Sequence, residues 1–267
     1  MKISSAIPGA VLTAMLCSAI PIHPADVHAV LAAPRQRIQT ADYRATGHMV
    51  KVDKNGNRIS FPFTIKAHWF PGVLRVLFEL GADSKTGSDS PASAGVPVHI
   101  LFELRPSGQS AILLVHPGDK APIALPFEKW SDGPLGSGFS FEDFLEQQYF
   151  WPLQAALETA NYGARKCDVL SSKPGAADKT HYAEVRTWLD QTIGFPVYVE
   201  KSMKATGAVK EFVSFGLRHE GGVWSASQVE VKVRGQAGST LLIVDRGTAK
   251  ANLGLADFSP AKLKLFP

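Results

Sequence analysis

The sequence predicts a mainly β protein in which about ten or eleven strands follow one another as a long antiparallel meander. Apolar and polar residues alternate with a period of two through most of the chain, which is typical of strands with one apolar face. Turn-forming residues, such as Asn55-Gly56, separate these segments. Several connections are only a few residues long. A parallel crossover needs about a dozen residues or more, so these neighbours must be antiparallel.

The composition is that of a globular protein that binds no nucleic acid. The chain has 267 residues, of which 45% are hydrophobic and 19% charged, so it suits one large domain or two small ones. The formal net charge is +4, but the basic residues are scattered singly. A nucleic-acid-binding protein would concentrate them in a patch or stripe. We therefore expect no nucleic-acid partner.

The N-terminus has the features of a secretory signal peptide. The apolar run AIPGAVLTAMLCSAIPI is short and interrupted by proline and glycine, so it spans a membrane poorly. Small residues with cleavage-site spacing follow, as in Val27-His28-Ala29 and Val30-Leu31-Ala32. We predict that residues 1–33 are removed. The alternative is a buried N-terminal helix, which the prolines of the run disfavour. Cys167 is the one cysteine that remains, so no intrachain disulfide is expected, and its strand-like surroundings suggest a small buried side chain.

The strand pattern continues along the chain in order. The predicted strand segments are residues 41–52, 58–70, 73–80, 96–104, 110–116, 163–170, 181–190, 195–203, 208–219, 223–234 and 239–245. A polar, turn-rich segment at 81–95 predicts a mobile loop. The best helix candidate is Ser140–Phe150, with Ser140 as its cap and an apolar stripe formed by Phe141, Phe144 and Leu145. That stripe is a candidate lid, or simply the apolar face of a helix that caps the sheet.

The apolar faces of the strands are the candidate ligand-binding surface. A long sheet with one apolar face either curls into a barrel or packs as two sheets, and the apolar side chains then form a core or the wall of a cavity. Both alternatives stay open for the individual residues. The candidate cavity lining is Phe61, Phe63, Ile65, Trp69, Val197, Val199, Val213, Phe215, Leu217, Val229, Val231 and Val233.

The C-terminal half resembles a known bacterial family. The segments PLGSGFSFEDFLEQQYFWP, CDVLSSKP and HYAEVRTWLDQTIGFPVYVEKSMKATGAVKEF are similar to those of the outer-membrane lipoprotein-sorting proteins, the LolA-like superfamily. The positions that match the family's pattern are Tyr182, Val185, Trp188, Leu189, Asp190, Pro196, Glu200, Gly207, Phe258 and Pro260. These motif positions are structural rather than catalytic.

The resemblance implies that residues 34–267 form a single LolA-like half-barrel domain: a half-open antiparallel β-barrel with short helices as a lid or plug over an apolar cavity. It implies a periplasmic location and a lipid or lipoprotein acyl chain as ligand. An inner-membrane donor and an outer-membrane acceptor would then be its partner proteins, and we expect a monomer. Other members are envelope sensors, so a sensor or export-accessory domain with a membrane-protein partner is the alternative function.

Enzyme motifs are missing from the sequence. His219-Glu220 is followed by two glycines rather than by a second histidine at helical spacing, and there is no G-x-S-x-G turn. We therefore expect no catalytic residue, no metal and no cofactor; a hydrolase with a dispersed site is the least favoured reading. Acyl-chain binding needs no motif, because each buried CH₂ contributes about 0.8 kcal/mol without polar contacts.

Overall fold

A single antiparallel sheet dominates the computed structural model, which describes residues 26–81, 98–115 and 121–259. In these residues the sheet has fourteen strands. They are β1 (Asp42–Val52), β2 (Arg58–Phe70), β3 (Val73–Leu80), β4 (Val98–Leu104), β5 (Ala111–Val115), β6 (Ile123–Ala124), β7 (Leu153–Ala156), β8 (Ala160–Tyr162), β9 (Arg165–Lys173), β10 (Tyr182–Asp190), β11 (Pro196–Met203), β12 (Val209–Glu220), β13 (Val223–Val233) and β14 (Ser239–Ala249).

The strand order confirms a half-open antiparallel barrel. The order is β6-β5-β4-β3-β2-β1-β14-β13-β12-β11-β10-β9-β7, with β8 paired to β9 off this path. Pairing of β1 with β14 joins the two halves of the meander, while β6 and β7 remain as the two ends of an open sheet. The strand count exceeds the predicted ten or eleven because β6, β7 and β8 are very short, and two to four residues show too little alternation to be recognised.

The close passage of β1 along β14 depends on Gly47. The register between the two strands shifts at Thr46/Gly47, which marks an irregularity of the bulge type. A Cβ atom built on Gly47 would lie 1.9 Å from the backbone oxygen of Ile243 and 2.8 Å from Cζ of Phe63. A glycine is therefore required where the two halves of the sheet meet.

Buried apolar side chains of the described residues pack against the sheet in several clusters. The larger core lies on the inner face and unites the sheet with the N-terminal helix and the segment after β6; its most enclosed members are Leu31, Ile38, Met49, Phe78, Leu80, Ile100, Phe102, Leu104, Ile112, Leu145 and Tyr149. A smaller cluster formed by Leu77, Leu101, Val115, Leu253 and Phe258 includes the 3₁₀ helix Leu255–Phe258. Cys167 in β9 is fully buried, as predicted.

The predicted helix Ser140–Phe150 is wrong in type. The structure has two 3₁₀ helices instead, Phe141–Leu145 and Gln147–Phe150, separated by Glu146 with φ 47°. A non-glycine residue in the left-handed region cannot continue a right-handed helix, so the segment breaks there. Shorter 3₁₀ helices occupy Phe127–Lys129 and Pro134–Gly136. The predicted mobile loop, residues 81–95, lies outside the described residues except for Gly81.

One α-helix, α1 (Val27–Gln39), precedes the sheet in the described part of the chain. Asp26 caps it by accepting a hydrogen bond of 3.0 Å from the backbone N–H of His28. Val30 and Leu31 are buried in the larger core. No helix among the described residues is long and apolar enough to cross a membrane.

The position of α1 bears on the predicted signal-peptide boundary. Residues 1–25 lie outside the described residues, but a cut after residue 33 would fall within α1. It would remove two buried side chains, Val30 and Leu31, and burial of one aliphatic side chain contributes about 1.5–3 kcal/mol. We therefore expect the mature protein to begin at or before Asp26. The intact mass of protein purified from a bacterial periplasm measures this; a chain that begins between residues 30 and 34 would contradict it.

Candidate functional site

A cavity of about 560 Å³ lies on the inner face of the half-barrel. This volume falls within the range of about 300–1,000 Å³ that is usual for small-molecule sites. Strands from both halves of the sheet, together with α1 and the segment 139–149, line it. Most of its wall is apolar, including aromatic side chains of Phe139, Phe144, Phe195 and Phe212. Such a wall suits an apolar ligand.

Four of the predicted cavity residues line this cavity. They are Phe63 and Ile65 of β2, Val199 of β11 and Val229 of β13. Residues at i and i+2 share one face of a strand, which is why the alternation pattern identified them. Residues from strands that were not in the predicted set add to the wall, among them Leu74, Val76, Leu242 and Val244.

Eight of the twelve predicted residues lie outside the lining, and five of them are buried or half-buried on β2, β11 and β13. Phe61 and Trp69 of β2 pack in the larger core rather than against the cavity. Val231 of β13 is fully buried against Phe139 and Phe212. Val197 is buried and Val233 half-buried; neither lines the cavity, although Val199 on the strand of Val197 and Val229 on the strand of Val233 do. The open space therefore occupies only part of the apolar face, and packed side chains fill the rest.

The face assigned to β12 needs correction. Val213, Phe215 and Leu217 were predicted to line the cavity, but Phe212 and Ser214 line it instead. Successive side chains of a strand point to opposite faces, so Val213 and Phe215 belong to the outer face. Leu217 follows Gly216, whose φ of 58° interrupts the alternation, and lies outside the lining. Phe215 is 43% exposed. The alternation pattern favoured the series Val213, Phe215 and Leu217 because all three side chains are apolar, whereas the other series carries Ser214 and Gly216 beside Phe212.

The predicted lid residues have different environments. Phe144 lines the cavity, and its ring stacks on Phe78 at a centroid distance of 5.0 Å and on Phe102 at 5.3 Å. Leu145 is buried in the larger core, and Phe141 packs against that core. Only Phe144 of the three therefore contacts the cavity.

A buried ionic cluster at the cavity wall was missed by sequence reasoning. Its centre is Asp143, whose side chain is 2% exposed. Oδ1 of Asp143 lies 3.0 Å from Nζ of Lys201 and accepts a 2.7 Å hydrogen bond from the hydroxyl of Tyr182. Oδ2 pairs with Nζ of Lys210 and accepts a 2.7 Å hydrogen bond from the backbone N–H of Ser140. This cluster ties the 3₁₀ helix Phe141–Leu145 to β10, β11 and β12.

The charges of this cluster shift the pKa values of its members. Burial alone would raise the pKa of Asp143, but the positive charges of Lys201 and Lys210 hold that pKa well below its usual range. Burial lowers the pKa of Lys210, an effect that the charge of Asp143 opposes only in part. The adjacent Glu142 has a raised pKa, first because it is buried and further because Asp143 is negative.

Two members of the cluster, Asp143 and Lys201, line the cavity. The ammonium of Lys201 lies over two aromatic faces, 4.9 Å from the ring centroid of Phe212 and 5.2 Å from that of Tyr182. One sequence signal could have found this site. Lys201 continues the inner-face series Val197, Val199, and a charge in the apolar register of a strand is expensive unless it is paired.

Polar residues also occur elsewhere on the cavity wall. Arg37 of α1 forms an ion pair of 2.6 Å with Glu146, and its guanidinium lies 5.7 Å from the ring centroid of Phe195. Residues 221–226 of the β12–β13 hairpin line the cavity as well. In the described residues, no group of three or more His, Cys, Asp or Glu side chains could hold a metal ion.

Solved structures share this architecture at low sequence identity. A domain assigned as an outer membrane lipoprotein-sorting protein from Vibrio parahaemolyticus superposes with a TM-score of 0.72 at 18% identity, covering 87% of this chain and 97% of that one. A DUF1329 family protein from Desulfovibrio piger gives 0.72 at 15% identity, covering 89% and 99%. The LolA superfamily protein NE2245 from Nitrosomonas europaea gives 0.60 at 14% identity, covering 87% and 97%. These likenesses confirm the predicted LolA-like fold.

A family model decides the membership of the chain. The model of an "Uncharacterized protein"-like family matches residues 110–265, more than half of the 267 residues. The chain belongs to this family. A comparison with curated proteins finds no match. The LolA-like resemblance was predicted from motifs of the C-terminal half, and the family match covers the same part of the chain. The fold is thus LolA-like, and the function must be argued from the cavity.

Proposed function

We propose that this protein is a periplasmic carrier that holds the acyl chain of a lipid or lipoprotein in its cavity and performs no chemistry on it. The observation that carries the proposal is the apolar cavity of about 560 Å³ on the inner face of the half-barrel. The lipoprotein-sorting assignment of the Vibrio domain, which has the same fold, supports the same class of ligand. A signal peptide and delivery between inner-membrane and outer-membrane partner proteins belong to this proposal.

The energetics of the cavity suit an acyl chain. Transfer of ten methylene groups from water to an apolar site yields about 8 kcal/mol before the cost of association is subtracted. Aromatic and aliphatic walls supply this free energy without directional contacts, so acyl chains of similar length bind with similar affinity. A carrier for acyl chains needs that tolerance.

The matched pair Ser214→Trp and Val213→Trp tests the proposal. Ser214 lines the cavity, whereas the adjacent Val213 belongs to the outer face of the same strand. An indole at position 214 would occupy space that the ligand needs. Loss of about two buried methylenes weakens binding roughly tenfold, so we expect Ser214→Trp to take up at least about tenfold less lipid. Uptake is measured as tritiated phosphatidylethanolamine that leaves vesicles and co-elutes with the protein.

The Val213→Trp variant should take up as much lipid as the unmodified protein. Circular dichroism of both variants checks that the sheet is intact. If the two variants lose uptake equally, or if neither does, the cavity is not where the lipid binds.

A further inference from the structure

The ionic cluster at the cavity wall carries more positive than negative charge. Two ammonium groups, those of Lys201 and Lys210, share the single carboxylate of Asp143. The remaining direct partners are the hydroxyl groups of Ser140 and Tyr182, which are neutral. One lysine would suffice to neutralise Asp143. The second is a surplus cation in a place where an unpaired charge is costly.

Of the two lysines, only Lys201 lies on the cavity wall. An ammonium has three N–H donors, and among the described residues Nζ of Lys201 donates one hydrogen bond, to Asp143. Nζ of Lys210 bonds to both Asp143 and Ser140. Lys201 thus has donors left for a group inside the cavity.

The other titratable groups near the cluster do not pair with the ammonium of Lys201. Glu142 is buried, but its carboxylate accepts hydrogen bonds from Oγ1 of Thr180 at 3.2 Å and from the backbone N–H of His181 at 3.1 Å. Its other oxygen lies 3.4 Å from Nδ1 of His181. Glu142 and His181 are not lining residues. Among the described residues the carboxyl of Glu142 makes no hydrogen bond or ion pair with Lys201 or Lys210; its charge acts on both lysines from a distance, and its raised pKa favours the neutral form. Glu146 lines the cavity and is paired with Arg37.

We propose that Lys201 binds the terminal anionic group, a carboxylate or a phosphate, of a single-chain amphiphile whose apolar chain fills the cavity. This assignment rests on the proposed function and deepens it by naming the ligand class and its orientation. A charged end group placed against the ammonium gains a charge-assisted hydrogen bond where water is scarce. A chain with a neutral end leaves the surplus cation without a counter-charge.

Three ten-carbon ligands test this orientation: decanoate, decyl phosphate and decanol, titrated by isothermal calorimetry into the mature protein purified from a bacterial periplasm. A hydrogen bond to a charged group favours its ligand by about tenfold or more. We therefore expect at least one of the two anions to bind at least about tenfold more tightly than decanol. The tighter anion identifies the end group.

Two lysine variants test whether Lys201 is the source of the preference for the anion over decanol. Lys201→Met removes the cavity cation and should bring the anion to within about twofold of decanol, with decanol binding retained. Lys232→Met makes the same change of charge on an exposed side chain that pairs with Glu211, and the preference for the anion should persist. Decanol binding also reports that Lys201→Met is folded. If that variant does not fold, the comparison of the three ligands on the unmodified protein still decides.

Decanol that binds as tightly as both anions would overturn this assignment and leave the carrier proposal standing. Failure of all three ligands to bind would overturn the carrier proposal as well. A preference for an anion that survives in Lys201→Met would show that another group recognises it.

Discussion

Replacing Asp143 by Asn is expected to lower the free energy of unfolding by about 3–5 kcal/mol, the usual cost of breaking a buried ion pair from one side. The carboxylate is 2% exposed, and it is the counter-charge of Lys201 and Lys210. An amide keeps its shape but leaves two buried ammonium groups without a negative partner. Urea denaturation, followed by tryptophan fluorescence, measures the loss.

Asp132→Asn is the matched control for this change. Asp132 forms an ion pair with Lys129 at 3.3 Å, but its side chain is 53% exposed, and exposed pairs contribute about 0–1 kcal/mol. Adding Lys210→Met to Asp143→Asn removes one of the unpaired cations and should recover part of the stability. A loss below about 1 kcal/mol for Asp143→Asn would show that the cluster does not hold the segment to the sheet.

The stability difference between the unmodified protein and Asp143→Asn should depend on pH, and the lowered pKa of Asp143 determines the sign of that dependence. The pKa of Asp143 is lowered on folding, so its contribution is complete above its unfolded pKa of about 3.9 and declines as the pH falls toward the folded value. The difference in stability between the unmodified protein and Asp143→Asn should therefore be constant from about pH 5 to 7 and shrink below about pH 4. A difference that grows on acidification has the wrong sign for this account.

Truncation of Phe144 to Ala is expected to cost about 2–3 kcal/mol, somewhat less than is usual for a fully buried aromatic side chain, because Phe144 is half-buried and lines the cavity. Its ring stacks on Phe78 and Phe102 and contacts Phe139 at a centroid distance of 5.7 Å. Those rings come from two strands and from the segment before the 3₁₀ helix, so the truncation removes the aromatic contacts of the 3₁₀ helix Phe141–Leu145 with the sheet and leaves the ionic contacts of Asp143. Thermal unfolding by circular dichroism measures it.

Phe215→Ala removes the same atoms from the outer face. Because Phe215 is 43% exposed, its truncation should cost less than about 1 kcal/mol. The comparison of Phe144→Ala with Phe215→Ala tests whether Phe215 lies on the outer face of β12. Comparable losses for Phe144→Ala and Phe215→Ala would mean that Phe215 is packed inside, as the alternation pattern first indicated.

The sheet was predictable because its signal is local. The strand β2 shows strict alternation from Ile59 to Trp69, and each short connection determines an antiparallel neighbour. The irregular segment Ser140–Phe150 was harder to predict. This segment has the spacing of an amphipathic α-helix. In the structure, Asp143 contacts Lys201 and Lys210 on distant strands, and the backbone forms 3₁₀ helices that allow these contacts.

The cavity itself was only partly predictable for the same reason. Alternation identifies which residues share a face, as for Phe63 and Ile65, but not which part of that face stays unfilled. The ionic cluster joins residues up to 70 positions apart along the chain, Ser140 and Lys210, so no short window of sequence contains it. Its local traces are Lys201 and Lys210, two lysines in the inner-face registers of β11 and β12, and these are ambiguous without their partner.

Native mass spectrometry of the protein, purified gently from a bacterial periplasm and paired with lipid extraction of the same sample, tests the central claim most directly. The account predicts a bound species whose mass matches a lipid or a free acyl chain and which appears in the extract. A bare chain that also takes up no added lipid would contradict it, and the aromatic wall would then have to be explained as the core of a protein with some other partner.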